Sequence, residues 1–195
     1  MSADFREHAV SNQIAGLFEC HDKSQFQLTG ISIGPDDNSE MRQRLKRSFE
    51  HFVDATGTTE DELVSIIRKA EIDLLIDLNG FTEGEWTNVL ARRPAPVQVN
   101  YLGYPGTMGA SYIDYIIADQ TVIPEDSRIF YSEKIAVLPN TYFVNDRKRV
   151  LSDVVFSRVD AGLPDKGFIF CCFNNNYKIT PPVFDCWMRI LKRRG

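Results

Sequence analysis

The stretch Ile72-Asp73-Leu74-Leu75-Ile76-Asp77-Leu78 constrains the fold more than any other segment. It is a nearly continuous aliphatic run of strand length, and Asn79-Gly80 breaks it. A run of this kind suits a strand covered on both faces, as strands of a parallel sheet are. Its surroundings alternate in type. Residues 9–21 read as a helix with Val10, Ile14, Leu17 and Phe18 on one face, and residues 26–33 read as a strand. Ser39 is placed to cap a basic amphipathic helix to about Phe49, and residues 52–55 are a short strand candidate. Thr59 and Glu62 form a capping-box pattern, with Leu63, Ile66, Ile67 and Ala70 following at helical spacing. Residues 86–92 read as a helix stopped by Pro94 and Pro96, and residues 97–102, 113–118 and 135–138 as further strands. Alternating strands and helices predict an α/β protein with a Rossmann-like doubly wound parallel sheet over residues 1–150. Residues 151–166 read as a polar connector. Residues 167–195 read as the opening strand (167–173) and helix of a second α/β lobe.

Bulk properties narrow the function classes. A chain of 195 residues suffices for one packed domain and part of another. Its net charge of −5 argues against a nucleic-acid-binding surface. The four cysteines form no metal or disulfide framework: Cys171 and Cys172 are adjacent, Cys20 and Cys186 lie far off, and no C-x-x-C pair exists. They are expected to be reduced and mostly buried. The polar start Met1-Ser2-Ala3-Asp4 does not resemble a signal peptide, and the longest apolar runs are strand-sized. These features predict a cytoplasmic protein with no membrane or nucleic-acid partner.

A chemical signal lies between the apolar run 167–173 and the helix expected from Thr180. In Asn174-Asn175-Asn176-Tyr177-Lys178-Ile179, a lysine sits in a strand-to-helix loop, where α/β folds hold phosphate. Pro181 and Pro182 remove helix-end amides, so Lys178 and the asparagines would supply the positive field. A solvated loop lysine is the plainer local alternative.

Ordered blocks along the chain sharpen this. Asp4-Phe5-x-x-His8, Asp77-Leu78-Asn79-Gly80-Phe81-Thr82, Arg93-Pro94-Ala95-Pro96-Val97-Gln98 and Leu102-Gly103-Tyr104-Pro105-Gly106-Thr107 come first. Ile113-Asp114-Tyr115, Tyr131-Ser132-Glu133-Lys134, Leu138-Pro139, Phe173-Asn174-Asn175-Asn176-Tyr177-Lys178 and Trp187-x-x-Ile190-Leu191-Lys192 follow. The set resembles the catalytic region of the protein O-GlcNAc transferases and their SPINDLY relatives, over nearly the whole chain. The resemblance implies the N-terminal lobe of a GT-B glycosyltransferase with the start of the nucleotide-binding lobe. It also implies that both ends are cut, that tetratricopeptide repeats would precede this region, and that the chain alone is inactive.

The implied reaction is inverting transfer of N-acetylglucosamine from UDP-GlcNAc to Ser or Thr hydroxyls of proteins. The alternatives are O-fucosyl transfer from GDP-fucose, as in SPINDLY-like members, and a non-catalytic protein-binding remnant. By resemblance, Lys178 binds the diphosphate, with Tyr177 beside it and Asn175 where many members carry glutamine. His8 lies near the transferred sugar and acceptor, Asp4 is a candidate proton acceptor, and Leu102 and Gly103 line the sugar and acceptor side. No Asp-x-Asp occurs, so the expected mechanism uses no metal and no cofactor beyond the donor.

Overall fold

The computed structural model describes residues 1–150 and 152–194. The chain divides into two compact units, Met1–Val150 and Leu151–Gly195.

The first unit is built on parallel strands. β1 (Thr29–Ser32) pairs with β2 (His51–Asp54). β3 (Leu74–Asp77), β4 (Val97–Asn100), β5 (Tyr115–Ala118) and β6 (Lys134–Val137) form a second sheet in sequential order. Met1–Ala3 joins the two sheets. Ser2 N donates to Ile31 O at 3.0 Å and Ile33 N to Ser2 O at 3.0 Å. On the other side, Leu78 N donates to Met1 O at 3.0 Å and the Met1 ammonium to Ile76 O at 2.7 Å. The spatial order is therefore β2-β1-(Met1–Ala3)-β3-β4-β5-β6, and the winding reverses at Met1–Ala3.

Helices cover both faces. α1 (Ala9–Glu19) follows Met1–Ala3 and packs with α2 (Glu40–Ser48); α3 (Glu60–Lys69) packs with α4 (Thr87–Ala91). Strand alternation feeds two cores. Leu75 joins Leu63, Ile67, Val89 and Leu90 on the α3/α4 face. Leu78 joins Phe5, Ile14, Leu45 and Tyr101 on the α1/α2 face. Caps set the helix starts. Ser39 accepts from Arg42 N at 3.1 Å. Thr59 and Glu62 form the reciprocal box, with Thr59 N to Glu62 Oε2 at 2.7 Å and Glu62 N to Thr59 Oγ1 at 3.3 Å.

Among its described residues the second unit holds a 3₁₀ turn at Asn176–Lys178 and one helix, α5 (Pro181–Arg194). Two sequence expectations fail here. The segment 167–173 is not a strand; within the described residues it has no neighbouring strand, and an apolar run without a ladder partner does not become β-structure. Phe173 is 96% exposed. The cysteines are free but exposed rather than buried. Cys171, Cys172 and Cys186 belong to this thinly covered unit, and Cys20 lies just past the end of α1. Among the described residues no helix is long and apolar enough to cross a membrane.

Candidate functional site

The loops that leave Met1–Ala3, β1, β3 and β4 emerge at the C-terminal edge of the first unit, beside the point where strand order reverses. That crevice is where open α/β sheets hold ligands. Asp4 is buried there, with its carboxylate 3.4 Å from Asn79 Nδ2 and 3.8 Å from Arg6 Nη2. Ser11 Oγ donates to the Asp4 carbonyl, which ties the loop to α1.

His8 caps α1. Its backbone is extended, and Nδ1 accepts from Val10 N at 3.3 Å while lying 3.6 Å from Asp4 Oδ1. An Nδ1 that accepts leaves the proton of the neutral imidazole on Nε2. The side chain is a little over one-third exposed.

Leu102 and Gly103 enter the same region from β4. Leu102 is buried against Phe5 and Leu78 and holds a left-handed φ of 72°. A Cβ on Gly103 would fall 2.1 Å from Leu78 O, so only glycine lets this loop lie against the β3 exit. Asp4, His8, Leu102 and Gly103 are thus brought to one edge, with the Leu78-Asn79 turn between them.

Several polar residues assigned no individual role from the sequence build or brace this edge. Asn79 is fully buried, accepts from Ala3 N at 2.9 Å, and reaches Asp4 and Thr82. Asp77 accepts from Gly80 N at 2.9 Å and Asn79 N at 3.2 Å, and burial pushes its carboxyl above the usual carboxylate range. Glu133, just before β6 and so at the opposite end of the strands, is buried and accepts from Thr107 Oγ1 at 2.7 Å and Met108 N at 2.6 Å, which pins the far part of the glycine-rich loop after β4. Arg42 is fully buried; it donates to Phe5 O at 2.9 Å, Ser32 Oγ at 2.8 Å and Asp54 Oδ2 at 2.6 Å. For Asp77 and Asn79 the available signal was their position at the end of an apolar run, where water cannot satisfy them; Arg42, inside a basic amphipathic helix, and Glu133 carried no such signal.

Asn175, Tyr177 and Lys178 lie in the second unit. Asn175 precedes the 3₁₀ turn and its carbonyl accepts from Lys178 N at 3.0 Å. Lys178 Nζ stands 6.0 Å from the centroid of the exposed Tyr177 ring. The ammonium makes no ion pair among the described residues. No cluster of metal-ligating side chains occurs among the described residues.

The family model described as glycosyl transferase family 41 matches residues 1–155 and 151–194. The chain belongs to glycosyl transferase family 41. It is 41% identical over 198 residues to the probable UDP-N-acetylglucosamine–peptide N-acetylglucosaminyltransferase SEC of Arabidopsis thaliana, covering 99% of this chain and 20% of that protein. It is 31% identical over 195 residues to the protein of the same plant named SPINDLY, covering 98% of this chain and 21% of that one. A solved mutant form of the Thermobaculum terrenum O-GlcNAc transferase superposes with a TM-score of 0.85 at 30% identity, covering 98% of this chain and 35% of that chain. The family 41 chain described here thus spans about one-fifth of the length of these plant relatives.

Proposed function

We propose that this region serves, within a complete family 41 enzyme, in the transfer of N-acetylglucosamine from UDP-GlcNAc to Ser or Thr hydroxyls of proteins. The observation that carries the reading is the edge where Asp4, His8, Leu102 and Gly103 meet at the reversal of strand order, in a chain 41% identical over almost its full length to a protein named for that transfer.

The chemistry asks for two things: stabilisation of charge on the departing diphosphate, and an outlet for the hydroxyl proton. Lys178 is an exposed ammonium with no carboxylate partner among the described residues, and it supplies a cation to the diphosphate. In the tautomer set by Val10 N–H, His8 offers Nε2–H as a donor to a sugar or acceptor oxygen. His8 therefore orients, and the carboxylate of Asp4 is the better proton outlet, directly or through a water. The absence of an Asp-x-Asp motif supports a metal-independent route.

The test is sugar transfer by the full-length enzyme from UDP-GlcNAc to a protein acceptor. Lys178→Ala should lower kcat by about 10²–10³, the loss that follows removal of one strong transition-state donor. Near-normal turnover of that variant, or loss of wild-type activity on chelation of divalent metal, would overturn the mechanism.

A further inference from the structure

We propose that the cleft beside His8 is an acceptor subsite in which Arg149 selects a carboxylate close to the hydroxyl being modified. This rests on the transferase reading above. The cleft has a volume of about 460 Å³ and is lined by Glu7, His8, Ala9, Asn12, Gln13 and Arg149. Five of these come from the loop after Met1–Ala3 and the first turns of α1. Arg149 alone comes from far along the chain, on the segment that follows β6.

That segment is strapped down. Tyr142 N donates to Asp119 Oδ2 at 2.8 Å, and Tyr101 Oη donates to Tyr142 O at 2.7 Å. Asp146, whose side chain is 4% exposed, takes Arg44 Nη1 at 2.5 Å and Nη2 at 3.1 Å. Gly16 makes room for this: a Cβ there would meet Asp146 Oδ1 at 2.8 Å. The strap thus delivers Arg149 to the cleft from an anchor three positions away.

The charges at the cleft are left incomplete. Lys148 pairs with Glu19 at 2.8 Å, but Arg149 forms no ion pair among the described residues. Glu7 lines the same cleft without pairing with Arg149, and one of its oxygens is taken by Asn12 Nδ2 at 2.8 Å. A guanidinium is always charged, and its fork of donors matches a carboxylate. A cleft of about 460 Å³ is roughly 8 Å across, and extended chain rises roughly 3.3 Å per residue, so a carboxylate held by Arg149 belongs about two or three residues from the hydroxyl at His8. Glu7, on the same lining, repels a carboxylate near itself and so disfavours any placement of the acidic residue away from Arg149.

The experiment uses the full-length enzyme, UDP-GlcNAc and matched Ser peptides that differ only in carrying Asp or Lys two or three residues from the serine. The readout is the Asp:Lys ratio of kcat/KM. Wild type should favour the Asp peptide by about fivefold, chiefly through KM, and the preference should shrink at high salt. Arg149→Glu should invert the ratio. Arg149→Gln, which keeps the length and removes the charge, should bring it to about one; it decides the matter if the Glu variant does not fold. An equal ratio in wild type and both variants overturns the subsite while leaving the transferase reading intact. No transfer to any peptide by wild type, together with no UDP-GlcNAc hydrolysis, overturns the transferase reading and the subsite with it.

Discussion

Phe5, Phe18, Phe49 and Phe52 in the first unit, and Phe168, Phe170 and Phe173 in the second, are the same side chain under opposite conditions. The first group closes on itself. Phe18 and Phe49 have ring centroids 4.6 Å apart, Phe5 and Phe49 5.6 Å, and Phe5 is 1% exposed. In the second unit Phe168 is 80% exposed and Phe173 96%. The runs that carry them look equally strand-like or helix-like in sequence. What differs is the company: the first group lies where α1, α2 and the β2 strand converge, whereas Phe168 and Phe170 meet each other at 4.7 Å in a unit whose described residues hold one helix. Apolar content sets what a segment could become, and available neighbours decide whether it does so.

The largest effect should come from separating the two units. Residues 1–150 expressed alone should unfold in one cooperative transition, because both faces of the sheet are already covered. Residues 151–195 alone should show no cooperative melt, since one helix and exposed aromatics cannot offset the chain entropy of that length. Differential scanning calorimetry of the two pieces checks this. A sharp transition in the shorter one would break the contrast between the two units.

A second test asks what holds the better-packed unit together at its functional edge. Arg42 is wholly buried and ties four segments: Phe5 O in the Asp4–His8 loop, Ser32 at the end of β1, Asp54 at the end of β2, and Asp36, whose carboxylate lies 2.8 Å from Nε. Arg42→Met should cost the first unit about 3 kcal/mol, since it leaves buried acceptors without a donor. Chemical denaturation of residues 1–150 measures it. A loss within about 0.5 kcal/mol, the range of ordinary surface changes, would show that the network is not structural cement.

The same contrast explains what could be read from the sequence. α1, α2 and α3, with the caps of α2 and α3, were legible because capping and helical periodicity are local. The parallel sheet was legible because aliphatic runs alternate with those helices. The supposed strand at 167–173 was not, since pairing is non-local and nothing in Phe168-Ile169-Phe170 says whether a partner exists. The strands are also shorter than the apolar runs: residues 97–102 continue past β4 into a loop where Leu102 turns left-handed. Of the edge residues, His8, Asp4, Leu102 and Gly103 came from resemblance, not from chemistry visible in a line of text. Asn79, Glu133 and Arg42 stayed hidden because their roles depend on carbonyls and amides far away in sequence.

The smallest expected effect concerns the strap that closes the first unit. Glu19 accepts from Arg44 and pairs with Lys148, and these partners hold its carboxyl down from 4.5 to about 2, the Arg44 hydrogen bond being the largest cause. A folded-state pKa below the unfolded one adds stability that is complete above the unfolded value. It is lost as pH falls through the folded value. The window is therefore pH 4.5 down to about 2. The Glu19 side chain is 21% exposed, so solvent screening reduces the full linkage value to about 1 kcal/mol. Glu19→Gln should thus be less stable than wild type by about 1 kcal/mol at pH 6, and the two should converge near pH 2. Asp146 keeps its own bonds to Arg44 in that variant, so the strap should remain in place. In the second unit the carboxyl of Asp160 is held low only by nearby Ser157, with no cation involved. Denaturation of Glu19→Gln and wild type across this range checks the sign. Parallel curves from pH 6 to pH 2 would mean that the Glu19 pair adds nothing, and that Asp146 alone secures the segment carrying Arg149.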